Sequence, residues 1–157
     1  MRKTEPIRGD FLFFYPSNVI DRIIAGLSGK YCHCGLYLGN DLMISARLLR
    51  GISFNKLSNY KKDFDIYRID GITDKEVEKI IQFSLQLRGR KYDLLQLPGI
   101  LFNVIIGNPK RFFCSEFLSV LCILINRIQS KHPELMTPTD LSNEPFMVKK
   151  NKGKIDL

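Results

Sequence analysis

Apolar positions fall first into short runs and later into longer stripes of helical period. Asp10 to Tyr15 (Asp-Phe-Leu-Phe-Phe-Tyr) is an aromatic run closed by Pro16-Ser17-Asn18, which predicts a buried strand followed by a helix start. Val19, Ile20, Ile23, Ile24 and Leu27 then recur at helical spacing, with Gly26 and Gly29 bracketing the end. Tyr31 to Leu38 and Leu42 to Arg47 are separated by Gly39-Asn40-Asp41, whose residues tolerate positive φ, so a hairpin is predicted. Gly51 to Leu57 and Phe64 to Ile69 add further strands, for an antiparallel sheet of about five.

Helical signals dominate after that. Thr73-Asp74-Lys75-Glu76 is a capping-box pattern, and Val77, Ile80, Ile81 and Leu87 follow on one stripe until Gly89. Tyr92 to Ile106 predicts a short helix bent at Pro98-Gly99, because proline removes a donor and clashes with the preceding turn. Phe117, Leu121, Leu124, Ile125 and Ile128 predict a buried helix that begins near Cys114 and ends before Gln129-Ser130-Lys131. The remainder, with Pro138 and Pro145, reads as loop, with a basic tail over about residues 143–157. Strands first and helices later is an α+β order, in which the sheet packs against helices.

A chain of 157 residues fits one domain. Its formal charge of +8 favours an anionic partner such as a wall polymer, an acidic lipid surface or nucleic acid. Specific nucleic-acid binding is not expected, since the basic residues are scattered and the aromatics sit in core patterns. Met1 to Pro6 leads into charged Gly9-Asp10 before any apolar region of signal-peptide length, and the apolar stretch Leu94 to Ile106 is short and interrupted. A cytoplasmic location is therefore expected, with peripheral membrane association as an option for that stretch.

The four cysteines are expected to stay reduced. Cys32 and Cys34 share a strand face and His33 points to the other, which disfavours a Cys-His-Cys metal site, and no cofactor is expected. A cysteine is a nucleophile only as thiolate, and an unperturbed thiol of pKa about 8.5 is only about 3% ionised near pH 7. A helix N-terminus and a nearby imidazolium both favour the thiolate, and Cys114 is the cysteine at a predicted helix start. The free N–H groups there could also hold an oxyanion. Of the two histidines, His132 lies beside Pro133 in a polar connection, whereas His33 sits in a strand with Tyr31, Gly35 and Tyr37 assigned to its face. From position alone, structural roles remain open for both Cys114 and His33.

Gly9-Asp10-Phe11-Leu12-Phe13-Phe14 and Cys32-His33-Cys34-Gly35-Leu36-Tyr37-Leu38-Gly39 resemble the Gly-Asp strand and the His-x-Gly-Ile-Tyr-x-Gly hairpin of NlpC-type papain-like hydrolases. The cysteine segment Phe113-Cys114-Ser115-Glu116-Phe117 follows these strands instead of preceding them, as in the circularly permuted branch of YiiX-like and lecithin:retinol acyltransferase-like proteins. Tyr92-Asp93 and Thr137-Pro138-Thr139-Asp140-Leu141 are also similar to that branch, so the resemblance runs from Gly9 to Leu141. It implies a permuted papain-like fold, Cys114 as nucleophile and His33 as general base, acting on an amide such as a cell-wall peptide. Where the branch commonly has a His or Glu to orient the imidazole, this chain has Ser45, which can fix a tautomer but brings no charge. Asp41, in the hairpin turn, is the poorer candidate for that role. Two other readings stand beside peptide hydrolysis: a lipid acyl hydrolase or acyltransferase using the same pair, and a binding module with a degenerate site.

Overall fold

The aromatic run forms β1 (Phe11–Phe14), buried on both sides, and the sheet is built outward from it. The structure is a computed structural model and describes residues 5–19, 21–22, 25, 29–47, 50–89, 113–128 and 136–153. The other strands are β2 (His33–Gly39), β3 (Leu42–Arg47), β4 (Gly51–Lys56), β5 (Phe64–Ile69) and β6 (Met147–Gly153). They join in the order β4-β3-β2-β1-β5-β6, every neighbour antiparallel. Among the described residues, the α-helices with defined bounds are α1 (Asp74–Gln86), α2 (Phe113–Leu124) and α3 (Pro138–Ser142), giving an α+β fold.

Period-two alternation gives each sheet face its own core. Phe11 and Phe13 point with Cys34, Leu36, Ile44 and Tyr67 toward the helices, where Ile80, Phe117 and Leu121 meet them. Leu12 and Phe14 point the other way, with Tyr37, Met43, Leu57, Tyr60, Phe64 and Ile66. The β2–β3 turn takes left-handed backbone at Gly39 (φ 95°), Asn40 (φ 50°) and Asp41 (φ 62°), residue types that bear it well.

Local chemistry sets the helix ends. At α1 the side chain of Thr73 accepts from the Glu76 N–H while Glu76 reaches back to the Thr73 N–H, as the capping box predicts. The predicted stripe of α2 runs on to Ile128, but the helix stops at Leu124. Asn126 there adopts φ 58°, with the Arg127 N–H bonded to the Cys122 carbonyl and the Asn126 N–H to that of Ile123, a Schellman-type end. Ile125 and Ile128 stay buried beyond it.

The sheet has six strands, where about five were expected. The sixth comes from the segment read as basic tail: β6 pairs along the whole of β5, and its lysines lie along an exposed edge. Lysine-rich edge strands are a common guard against unwanted pairing, which is why this one reads as tail. Likewise Pro138–Ser142, read as loop, is a short helix with Thr137 and Asp140 forming a capping box and proline at its first turn. Of the helix predicted over Val19 to Leu27, Val19, Asp21, Arg22 and Ala25 are helical, and Val19 points to solvent. The bent helix of Tyr92 to Ile106 and His132 lie outside the described residues. Among the described residues, no helix is long and apolar enough to cross a membrane.

Candidate active site

Helix α2 packs across β2 and β3, which sets its first turn, carrying Cys114, beside the start of β2, where His33 and Cys34 follow one another. Cys114 is partly buried; Cys34 is fully buried on the helix side of the sheet. Hydrogen bonding from the Cys34 thiol, opposed by burial and reinforced by hydrogen bonding and charge from His33, holds the Cys114 thiol well below its ordinary range. Its location at the start of a helix acts in the same direction. The other thiols go the opposite way. Burial pushes Cys32 up to about 11, and raises Cys34 and mid-helix Cys122 as well. Cys32 instead donates to the Phe14 carbonyl at 3.5 Å. All four cysteines are free.

At the start of β2 the His33 ring reaches Cys114 while packing against side chains of the opposite sheet face. It stacks on Tyr60 with ring centroids 5.7 Å apart and planes within 7°, and it packs against Phe14 at 5.8 Å. Its Nε2 lies 3.2 Å from Ser45 Oγ and 3.4 Å from the Tyr60 hydroxyl. Ser45, singled out in the sequence as a candidate orienter, is thus brought to His33, at its Nε2. The assignment leaves Nδ1 as the ring nitrogen available to Cys114. Tyr31, assigned to the His33 face, belongs to the helix side, packed on Phe13 at 5.4 Å. Strand alternation begins only at His33, so it does not extend back to Tyr31.

Glycine at position 35 is required by space. A Cβ there would come within 2.7 Å of Met43 Sδ and 3.1 Å of the Ile44 carbonyl, so the hairpin can close tightly beside His33 only without one. Asp41 is committed elsewhere, accepting from the Ser58 N–H at 2.8 Å and the Ser58 hydroxyl at 2.6 Å.

Three residues at this site have no counterpart in the sequence reading: Cys34 as a partner of Cys114, Tyr60 as the stacking surface for His33, and Asn55. Asn55 Nδ2 donates to Ser45 Oγ at 3.3 Å and to the Ser53 carbonyl at 3.1 Å, and its Oδ1 accepts from Arg47 at 3.2 Å. Ser45 faces Ser53 directly across β3 and β4, which places Asn55 one step along the same face. Only strand register brings Asn55 here, so spacing along the chain carries no signal for it.

No protein-family model matches the chain, and no curated protein does. Among solved structures it is similar to the metalloprotein yiiX from Escherichia coli O157:H7 (DUF1105), with a TM-score of 0.64 at 14% identity, over 95% of this chain and 98% of that one. The fold is therefore YiiX-like.

Proposed function

We propose that the chain is a thiol-dependent acyl-transfer enzyme of the circularly permuted, NlpC-type papain-like class, with Cys114 as nucleophile and His33 as its acid and base. The observation that carries this reading is the convergence of His33 and Cys34 on a cysteine at a helix start, which together favour its thiolate. In the reaction, the thiolate attacks an amide carbonyl and the N–H groups at the start of α2 face the developing oxyanion. His33 imidazolium gives its proton to the leaving amine. A water that His33 then deprotonates cleaves the thioester. Peptide amides, cell-wall stem peptides included, lead the substrate classes by resemblance to the branch.

The structural neighbour is described as a metalloprotein. In this chain, no group of three or more His, Cys, Asp and Glu able to hold a metal ion occurs among the described residues, and His33 Nε2 is directed at Ser45 and Tyr60. Among the described residues, then, the donors around the His33–Cys114 pair do not fit a metal.

An activated acyl probe or iodoacetamide, followed by mapping of the adduct, tests the reading. Labelling should concentrate on Cys114 and slow by at least about tenfold in His33→Ala, as expected for a lost imidazole partner. Labelling spread over all four cysteines and indifferent to His33→Ala would remove it. The neutral Ser45, standing where the branch has a charged orienter, favours a second reading: a binding module that has lost turnover. A Cys114 that titrates as an ordinary thiol supports that alternative.

A further inference from the structure

We propose that Asn55 is a positioning residue for the His33–Cys114 pair, acting through Ser45 to set the direction of the hydrogen bond at His33 Nε2. The inference rests on the catalytic reading of that pair.

The orientation of the Asn55 amide is dictated by its neighbours. Arg47 can only donate and the Ser53 carbonyl can only accept, so Oδ1 faces Arg47 at 3.2 Å and Nδ2 faces Ser53 O at 3.1 Å. The second Nδ2 hydrogen is then directed at Ser45 Oγ, 3.3 Å away, and one lone pair of that hydroxyl is occupied. What remains on Ser45 is one O–H and one lone pair. Because Nδ1 is the nitrogen that trades its proton with Cys114 and the leaving amine, Nε2 keeps its hydrogen in both the neutral ring and the imidazolium. In both states the free lone pair of Ser45 accepts from Nε2–H, and its O–H is directed to the Tyr60 oxygen. Asn55 holds Oγ in place as that acceptor while the other end of the ring gains and loses its proton. Ser45 is fully buried, so no bulk water takes over when the anchor is lost.

The two kinds of substitution should act in opposite directions. Asn55→Ala removes the donor and lets the hydroxyl wander. Asn55→Asp loses the bond to the Ser53 carbonyl but accepts from the Ser45 O–H, freeing both Ser45 lone pairs for Nε2–H and adding negative charge near the imidazolium. The pH dependence of Cys114 alkylation by iodoacetamide reads this directly, with thermal melts to confirm folding. Asn55→Ala should move the midpoint upward, reducing alkylation about three- to tenfold at a pH below the wild-type midpoint. Asn55→Asp should move it downward, and Asn55→Ala added to Ser45→Ala should have no further effect. Equal midpoints in wild type and folded Asn55→Ala, a shift of the same sign in both Asn55 variants, or additivity with Ser45→Ala would overturn the role of Asn55 while leaving the catalytic pair standing. An ordinary thiol midpoint in the wild type would instead overturn the pair. Should Asn55→Ala fail to fold, the Asn55→Asp shift decides.

Discussion

Cys34, in the core on the helix side of β2, packs with Cys114 at the start of α2, and hydrogen bonding from Cys34 is the largest influence holding Cys114 low. Because burial keeps Cys34 itself protonated, it is a donor with nothing to gain by ionising. Cys34→Ala should therefore raise the Cys114 midpoint by about one unit and slow alkylation below it, while Cys34→Ser keeps a donor and restores most of the effect. Mass-resolved alkylation of Cys114 as a function of pH checks both variants.

The same depression makes Cys114 a contributor to folding stability with a defined sign. Its folded-state pKa lies below the unfolded value near 9, so between the two the unfolded chain binds more protons and stability rises with pH. The contribution is fully present above about pH 9 and disappears as pH falls through the folded value. The stability difference between wild type and Cys114→Ala should accordingly move in favour of the wild type as pH is raised across that window. Denaturant melts of both proteins at a series of pH values measure it, and a difference independent of pH would mean that the thiolate is not favoured by the fold.

How much of this was legible in the chain depends on where each signal is encoded. The Gly39-Asn40-Asp41 turn, the Thr73–Glu76 cap and the helix start at Cys114 are written in adjacent residues, and each appears where expected. β3 and β5 match the predicted Leu42 to Arg47 and Phe64 to Ile69 runs. β6 was hidden because its lysines suit an edge but not a core pattern, and its partner β5 lies far away in the chain. Asn55 and Cys34 were hidden for a related reason: their roles arise from register and from helix docking, which no local window contains. Ser45 could be singled out only through the family resemblance, and its contact with Nε2 required coordinates.

The Thr137–Leu141 segment illustrates how a motif remote from the chemistry can matter. Thr139 Oγ1 accepts from the backbone N–H of Lys30 at 2.8 Å and of Tyr31 at 3.3 Å, pinning α3 to the residues that lead into His33. Gly29, at φ 89°, lets the chain pass, since a Cβ there would sit 2.8 Å from the same oxygen. Thr139→Val keeps the shape and removes the acceptor from two N–H groups, and should cost about 1–2 kcal/mol; Thr139→Ser should cost less than half as much. Urea melts of the two variants separate loss of the oxygen from loss of the methyl group.

Asp65 sits fully buried at the same end of the sheet as Tyr31 and gathers its partners on one oxygen. Oδ2 accepts from Tyr15 at 2.8 Å, Tyr31 at 2.5 Å and Lys149 at 2.6 Å, with Lys30 at 3.4 Å. Burial alone would raise its pKa, but Lys149 and the two hydroxyls outweigh it and the carboxyl ends below its ordinary 3.8. A depressed carboxyl stabilises the fold above the unfolded value and ceases to do so as pH falls through the lower, folded one. Lys149 belongs to β6, so the acid-sensitive contact is also what ties the edge strand to Tyr31. Lys149→Met should destabilise the protein by about 1–3 kcal/mol near neutral pH, because it leaves a buried carboxylate with fewer donors. The penalty should shrink below about pH 4, where protonation of Asp65 in the variant removes the charge that needed a partner. Denaturation midpoints of wild type and Lys149→Met between neutral and acid pH test this, and a penalty that persists unchanged in acid would show that Lys149 acts through packing of its stem and not through its charge.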